Sequence, residues 1–133
     1  MQKSFNRSID SIAKVYEFAE SVLVAGDISD ADRYPVHLAL EELFVNMVHY
    51  YPDNDNAIEL EVDVAGGIAS VKMTDIDVDP FDVTQSRKVD IDAPLDERTP
   101  GGLGLHLIQT MVDNLQYDWD DRRSTIRFTK GKG

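Results

Sequence analysis

Three polar side chains interrupt an apolar segment near the middle of the chain, EELFVNMVHYY at residues 41–51. Glu42, Asn46 and His49 follow one another at steps of four and three residues, which places them along one stripe of an α-helix. The carboxylate of Glu42 can take a proton or position a nucleophile, and the amide oxygen of Asn46 is a hard ligand suited to Mg²⁺. The same spacing is also typical of a solvated polar helix face, so both interpretations stand at this point.

A glycine-rich segment in the C-terminal third is a second candidate site. In TPGGLGLHL, residues 99–107, three glycines precede a helix predicted over 105–115. Glycines expose backbone N–H groups, and at the positive end of a helix such groups bind phosphate. The spacing matches neither the P-loop nor the dinucleotide-binding fingerprint. A flexible loop that leads into a helix is therefore the alternative interpretation.

An acidic segment, TDIDVDPFD at residues 74–82, follows a predicted strand. A buried aspartate here could accept a hydrogen bond from the exocyclic amine of a nucleobase, and an acidic turn is the alternative. A calcium-binding loop is disfavoured because the glycine required at its sixth position is missing. In addition, Pro80 and Phe81 stand where ligands should be.

The first predicted helix begins after Ser8, a preferred N-cap residue, and ends at Gly26, a natural helix stop. Residues 2–7 before it are a candidate edge strand. Within the helix, apolar residues recur at steps of three and four, which indicates one helical face. That face is predicted to comprise Ile9, Ile12, Ala13, Tyr16, Ala19, Val22 and Leu23, widened by Val15 and Phe18.

The second helical segment, which carries the polar stripe, begins at Ser29 or Asp30. Pro35 complicates its start, because proline inside a helix removes a hydrogen bond but is accommodated in the first turn. We therefore expect a break near this proline, with the main helix running from about Tyr34 to Tyr51.

Two hairpins are predicted from alternating apolar and polar residues on either side of turn residues. The strands and turns are 57–64, Gly66-Gly67 and 68–74 for the first hairpin, and 115–120, Asp121-Arg122 and 124–129 for the second. This alternation predicts an α+β fold, a two-layer sandwich whose mixed, mostly antiparallel sheet is covered on one face by helices. The irregular stretch 75–100 is long for a compact domain, which indicates a functional segment such as a lid.

Length and charge bound the possible functions. The chain has 133 residues and a formal net charge of −12, so we expect a single domain over residues 1–133. We also expect no binding to DNA or RNA, because that requires clustered lysine and arginine. Cysteine is absent, which excludes disulfides, thiolate nucleophiles and cysteine-bound metal sites. No apolar run suits a membrane span or a signal peptide, so we expect no membrane association and a cytoplasmic location.

Taken together and in this order, these segments resemble the GHKL ATP-binding fold of HATPase-like domains. Within that fold they look like the small anti-sigma-factor serine/threonine protein kinases of bacterial stress-response and sporulation switches. The resemblance covers almost the whole chain, from about residue 8 to residue 129. It is strongest in HLALEELFVNMVHYY (37–51) and GGLGLHLIQTMVDNLQY (101–117). The occurrence of both segments in one chain is fairly specific, whereas either alone would not be.

The resemblance implies roles for the candidate residues. Glu42 would be the catalytic residue, a general base toward the hydroxyl of a partner protein. Asn46 would be the Mg²⁺ ligand, His49 would lie near the nucleotide, and residues 82–100 would form a lid over ATP. The further residues implied to bind the cofactor, with the glycines closing on its phosphates, are Thr99, Gly101, Gly102, Leu103 and Gly104.

The segment implied to read adenine departs from the family pattern. The family usually shows D-x-G followed shortly by phenylalanine, but this chain has no glycine between Asp75 and Phe81. Counting back from Phe81 puts the adenine-reading position on Ile76, which cannot accept a hydrogen bond. Counting forward from the strand puts it on Asp75, which we prefer, and we include Asp77 in the predicted cofactor site. Loss of one buried hydrogen bond to a charged group costs about 1.5–3 kcal/mol, so the altered segment bears directly on nucleotide affinity.

The resemblance also implies ATP and Mg²⁺ as cofactors, and it implies partners. The substrate would be a serine or threonine of a STAS-type anti-sigma-factor antagonist, a sigma factor would be held while the antagonist is phosphorylated, and the chain would form a homodimer. The altered aspartate segment favours an alternative, a binding module that acts in partner switching without ATP turnover. A third hypothesis, the separated ATP-binding half of a histidine kinase, is disfavoured because no phosphoacceptor helix pair is visible.

Overall fold

The computed structural model of the protein describes residues 1–50, 53–79 and 102–131, except for the side chains of residues 102–106. Its elements follow the predicted order, beginning with the expected edge strand. They are β1 (Gln2–Phe5), a 3₁₀ turn (Ile9–Ser11), α1 (Ile12–Ala25), α2 (Asp30–Tyr50), β2 (Ile58–Ala65), β3 (Ile68–Ile76), α3 (Gly102–Met111), β4 (Asp113–Asp120) and β5 (Arg123–Gly131).

The five strands form one sheet in the order β1-β2-β3-β5-β4. Each neighbouring pair is antiparallel. Helix α1 packs on β2, α2 packs on α1 and β5, and α3 packs on α2. The predicted α+β sandwich is therefore confirmed, with described pairings that are all antiparallel instead of mixed. None of the helices in the described ranges is long and apolar enough to cross a membrane.

Alternation along β2 and β3 decides which face of the sheet the helices cover. Six apolar residues of the two strands point to one face and are fully buried: Ile58, Leu60, Val62, Ala69, Val71 and Met73. On the other face, the strand register aligns one polar row across four strands: Glu61, Lys72, Arg127 and Gln116. A charged row of this kind does not stabilise a second helical layer, so the fold has two layers.

Both predicted hairpin turns are confirmed. Gly66 and Gly67 have φ of 60° and 79°, and Asp121 and Arg122 have φ of 49° and 61°. Two-residue hairpin loops favour left-handed φ at both central positions because this geometry matches the twist of the flanking strands. The first turn uses glycines, which adopt this conformation freely, while the second places two charged residues in it.

The buried face of α1 is narrower than the sequence pattern predicted. Ser8 accepts a hydrogen bond from the Asp10 N–H and so caps the 3₁₀ turn that precedes the helix. Val15, Ala19 and Leu23, four residues apart, form the fully buried centre of the helix. Tyr16, predicted to lie on this face, is 51% exposed. The chain has more apolar positions here than one face can hold, and the fit to the sheet selects among them.

Helix α2 is continuous, so the expected break near Pro35 is wrong. The helix begins at Asp30, and Pro35 lies inside it and is buried. The carbonyl of Ser29 accepts hydrogen bonds from the backbone N–H groups of Asp32 and Arg33, which secures the first turn. Burial of the proline ring and this extra turn offset the one backbone hydrogen bond that proline cannot donate.

Gly26 stands where the end of α1 crosses β2, and it is the first position for a stability test. A Cβ atom added at Gly26 would lie 2.6 Å from both Cβ and Cγ1 of Val64. We expect Gly26→Ala to lower the free energy of unfolding by about 1–3 kcal/mol through overpacking, measured by urea denaturation. Because the obstacle is one side chain, Val64→Ala should restore part of that loss in the double variant. Equal stability of Gly26→Ala and the parent would contradict this close packing.

Candidate functional site

Helix α2 carries the best-formed part of the candidate site at Asn46. This side chain is 6% exposed, and its amide nitrogen has no hydrogen-bond partner among the described residues. An unsatisfied buried polar group costs about 1–3 kcal/mol, so a folded protein retains one mainly where it serves a purpose. A 180° rotation of the amide group exchanges its nitrogen and its oxygen. The atom at the unpartnered position can therefore be either a nitrogen that donates a hydrogen bond or an oxygen that binds a cation.

Glu42 precedes Asn46 by one helical turn and is half-buried. Burial of the Glu42 carboxyl raises its pKa above the ordinary value, and repulsion from the neighbouring Glu41 carboxylate raises the pKa further. A carboxylate with a raised pKa binds a proton more readily, which suits a general base. The shared stripe predicted for these two residues therefore includes one half-buried acid and one buried amide.

His49, the third residue of the predicted stripe, is exposed in the last turn of α2. It therefore does not share the burial of Asn46. Its predicted position near the nucleotide stays a prediction, because no contact between His49 and Asn46 or Glu42 is found within residues 1–50, 53–79 and 102–131.

Asp75, at the end of β3, lies deep in the protein and forms an ion pair that the sequence did not predict. The side chains of Asp75 and Arg7 are 2% and 3% exposed, and an Arg7 N–H group donates to Asp75 Oδ1. Arg7 also donates to the carbonyl of Met47 at 2.8 Å and, through Nε, to the carbonyl of Asn56 at 3.2 Å. Since Met47 follows Asn46 directly, one guanidinium connects Asp75 to the helical turn that holds the buried amide.

The charge state of Asp75 reflects two opposing effects. Burial raises the pKa of the Asp75 carboxyl, while the hydrogen bond and the positive charge of Arg7 lower this pKa without cancelling the effect of burial. Among the described residues, Asp75 is the acidic residue that is fully buried, and its partner Arg7 has an equally buried side chain. A buried carboxylate of this kind is a strong hydrogen-bond acceptor for any donor that reaches it.

Asp77 adopts a conformation that favours glycine. Its φ is 61°, in the left-handed region, and its position two residues after Asp75 is that of the glycine in D-x-G. The Asp77 carboxylate is 68% exposed and pairs with Arg122 at 3.0 Å. Asn54 donates to the carbonyls of Ile76 and Asp77 at 2.9 and 3.2 Å. The structure thus gives Asp77 a backbone role, and within the described ranges its carboxylate contacts Arg122 and none of the buried residues of the candidate site.

The segment after Asp77 is fastened to the second hairpin. The indole Nε1 of Trp119 donates to the carbonyl of Val78 at 2.9 Å. The N–H of Val78 donates to the carbonyl of Arg122 at 3.1 Å, and the Arg122 guanidinium contacts Asp79 at 2.9 Å. These bonds fix the chain where it leaves β3.

The backbone of Asp77 offers a direct test of this conformation. We expect the free energy of unfolding of Asp77→Gly to lie within about 1 kcal/mol of that of the parent, because glycine adopts this φ freely and an exposed ion pair contributes little. The free energy of unfolding of Asp77→Val should be lower than that of the parent by about 1–2 kcal/mol, because a β-branched residue strongly disfavours positive φ. Thermal and urea unfolding measure both variants. Similar stabilities for the glycine and valine variants would show that this backbone is not constrained.

The glycine-rich segment is placed differently from its prediction. Helix α3 spans Gly102–Met111, so Gly102, Leu103 and Gly104 belong to its first turn and do not precede the helix. The helix ends at Met111 because β4 begins at Asp113, which leaves Leu115 to pack on the core from the strand. Gly101, Thr99 and the proposed lid lie outside the described residues. Since α3 packs on α2, the helix with the glycines adjoins the helix with Glu42 and Asn46.

The described residues contain no group of three or more His, Cys, Asp or Glu side chains that could hold a metal ion. A magnesium ion at Asn46 would therefore depend on oxygens from a bound phosphate and from water. Mg²⁺ is commonly bound in this way, with few protein ligands and several waters. The buried amide fits such an ion.

Arg7 is the one residue in contact with the candidate site, among those described, that the sequence did not predict. It lies in a short polar stretch between β1 and the 3₁₀ turn, and no periodicity or motif marks it. Only the packing of three distant segments around its guanidinium, at 47, 56 and 75, reveals its role.

Comparisons with known proteins agree with the architecture. Residues 5–130 match the sequence profile of a family described as "Histidine kinase-like ATPase domain". Twelve chains of solved structures match. One of them, "Acinetobacter baumannii histidine kinase AdeS", is 14% identical, with a TM-score of 0.52, covering 98% of this chain and 67% of that chain. At this identity the likeness concerns the fold. No curated protein sequence matches.

Proposed function

Because the chain belongs to the histidine kinase-like ATPase domain family, we propose that it binds ATP with Mg²⁺ and phosphorylates a serine or threonine of a STAS-type anti-sigma-factor antagonist. Its antiparallel sheet with helices on one face is consistent with the α+β fold of GHKL ATPases. The observation that carries the proposal is the buried, unpartnered amide of Asn46, one helical turn from the half-buried Glu42.

Asn46 would hold Mg²⁺ through its amide oxygen. When bound, the ion supplies positive charge that offsets the charge of the phosphates, which phosphoryl transfer requires. The chain itself is strongly acidic, with a net charge of −12. Backbone N–H groups of the first turn of α3, around Gly102 and Gly104, would add further donors to the phosphates.

Glu42 would act as the general base. In the proposed transfer, the hydroxyl oxygen of the partner forms a bond to the γ-phosphorus while the bond from that phosphorus to the bridging oxygen of ADP breaks. The hydroxyl proton passes to the Glu42 carboxylate, whose pKa is raised by burial. Because the products are ADP and a phosphorylated side chain, no further reactant is needed.

The partner assignments are supported by the resemblance of residues 37–51 and 101–117 to anti-sigma-factor kinases. They comprise the antagonist as substrate, a sigma factor as the protein that is held, and a second copy of the chain in a homodimer. A pull-down of the full chain with STAS-domain proteins and sigma factors of the same genome, with and without ATP, tests them. Capture of neither class would contradict this part of the proposal.

Calorimetric titration with ATP tests nucleotide binding. We expect the parent to bind ATP only when Mg²⁺ is present, and Asn46→Ala to weaken the magnesium-dependent binding by about 10–100-fold, as loss of a contact that orients or holds a metal does. Asn114→Ala is the matched control, because Asn114 is exposed and its amide bonds Thr129 on the far edge of the sheet. Absence of heat from the parent at any Mg²⁺ concentration would refute the proposal.

A second candidate function is a binding module that switches partners without turning over ATP. Two observations favour it: the Asp75 carboxyl is already paired with Arg7, and Asp77 replaces the glycine of D-x-G. This module would bind its partners equally well with and without nucleotide. A partner affinity that changes on addition of MgATP would exclude it.

A further inference from the structure

We propose that Arg7 is a positioning residue for the magnesium site: through the carbonyl of Met47 it holds the last turn of α2, and with it the backbone that aims the Asn46 amide at the ion. This inference rests on the proposed function and deepens it. Arg7 lies in the polar stretch between β1 and the 3₁₀ turn, so it adds a residue from outside the motifs to those that hold the cofactor.

The guanidinium of Arg7 connects helix α2 to two strands of the sheet. Its Nε donates to the carbonyl of Asn56 at 3.2 Å, one terminal nitrogen donates to the carbonyl of Met47 at 2.8 Å, and the other donates to the Asp75 carboxylate. Asn56 lies shortly before β2, and Asp75 lies in β3. Because a guanidinium is planar and rigid, these three bonds fix the last turn of α2 relative to both strands.

The last turn of α2 is the part of that helix which most needs an external bond. The helix ends at Tyr50, so Met47 belongs to the terminal turn, whose carbonyls lack donors within the helix. Helix ends open more readily than helix interiors, and Arg7 supplies a charge-assisted hydrogen bond to one of these carbonyls. Asn46 precedes Met47 directly, so the same bond fixes the backbone from which the buried amide projects.

The charge of Arg7 is balanced inside the protein, which matters beside a site for a cation. The side chains of Arg7 and Asp75 are 3% and 2% exposed and form an ion pair, so together they bring no net charge to the turn. An unbalanced guanidinium at this place would repel Mg²⁺. Lysine keeps the positive charge but lacks the planar fork, so Arg7→Lys separates the geometry of the residue from its charge.

The alternative is that Arg7 has a structural role alone. A buried ion pair contributes little net stability compared with apolar residues of the same volume, so stability by itself does not explain why an arginine is buried here. A structural arginine would affect folding, and any effect on ligand affinity would be independent of Asn46. A positioning arginine acts through Asn46, so substitutions at residues 7 and 46 would be coupled.

The experiment is a double-mutant cycle on the full chain, with MgATP affinity measured by calorimetric titration for the parent, Arg7→Lys, Asn46→Ala and the double variant. We expect Arg7→Lys to weaken MgATP binding about 10-fold, as loss of a group that orients a metal ligand does, and to have no further effect once Asn46 is alanine. Arg33→Lys is the matched control, because Arg33 pairs with Glu20 at 2.9 Å and donates to the Ile28 carbonyl near the start of α2. Its MgATP affinity should equal that of the parent.

Amide hydrogen exchange of the protein without nucleotide and without Mg²⁺ provides a second measurement. We expect the backbone N–H groups of residues 47–50 to exchange about 5–10-fold faster in Arg7→Lys than in the parent, because the turn loses an external hydrogen bond. The same groups in Arg33→Lys should exchange as they do in the parent. This measurement reports on the turn itself and does not depend on ligand binding.

Each result decides between these roles. Additive losses in the double variant, or an unchanged MgATP affinity in Arg7→Lys, would overturn the positioning role while leaving the proposed function intact. Unchanged exchange at residues 47–50 would overturn it as well, because the turn would then not depend on Arg7. If Arg7→Lys does not fold, Arg7→Gln replaces it in the cycle under the same criteria. Absence of MgATP binding by the parent would refute the proposed function and the positioning role with it.

Discussion

Glu42→Gln is expected to reduce phosphoryl transfer by about 10²–10⁴-fold, the usual contribution of a positioned general base, while MgATP binding stays within a few-fold of the parent. Glutamine keeps the size of the side chain and its ability to form hydrogen bonds, but it cannot take the hydroxyl proton. The measurement is transfer of labelled phosphate from ATP to STAS-domain proteins of the same genome, with calorimetric titration of MgATP in parallel.

The pH dependence of this transfer provides an independent check on Glu42. A general base works when deprotonated, so the rate should rise with pH through the pKa of Glu42, which burial and Glu41 raise above the ordinary value. Glu41→Gln removes the repelling charge without touching the base, and its rate profile should shift to lower pH with the same plateau. A profile that is independent of residue 41, or full activity of Glu42→Gln, would remove Glu42 from the mechanism.

Arg7→Met is expected to destabilise the fold by about 3–5 kcal/mol at neutral pH, the usual effect of removing one partner from a buried ion pair. The carboxylate of Asp75 would then be buried without its counter-charge. Loss of the bonds to Met47 and Asn56 would add to the effect. Urea denaturation, followed by circular dichroism, measures the change. For a domain of this size, a destabilisation of about 3–5 kcal/mol is a large share of the total free energy of unfolding.

The double variant Arg7→Met/Asp75→Asn separates the charge from the packing. We expect it to recover part of the lost stability, because both members of the pair are then neutral.

The single Arg7→Met variant should also respond to pH. Without Arg7 the pKa of Asp75 rises further above its unfolded value, so the folded state binds the proton more tightly and stability falls as the pH increases through that raised pKa. A loss in Arg7→Met that is the same at acidic and neutral pH would show that the charge of Asp75 is not its cause.

Much of the fold could be predicted because its signals are local. The two hairpins follow from alternation and turn residues, and Gly26 ends α1 as expected. The helix boundaries failed where tertiary packing overrides local preference. Pro35 lies inside α2 with its ring buried, and α3 begins at Gly102 although glycine disfavours helices.

Some features of the candidate site could likewise be predicted from local sequence, and others depend on tertiary packing. The spacing of Glu42 and Asn46 predicted a shared stripe, and the structure adds the burial and, among the described residues, the unpartnered amide of Asn46, which a solvated helix face would not show. The choice of Asp75 over Ile76 depended on chemistry, and the structure places the Asp75 side chain inside while Ile76 is 36% exposed. Arg7 could not be predicted, since residues 47, 56 and 75 come together around it only in three dimensions.

The single tryptophan of the chain is a natural fluorescent probe of the junction after β3. The indole of Trp119 bonds the backbone directly after Asp77, so its emission depends on the position of that strand exit. Any event that shifts residues 76–79 relative to the second hairpin changes the surroundings of one chromophore, and the protein can therefore be titrated in solution without a label.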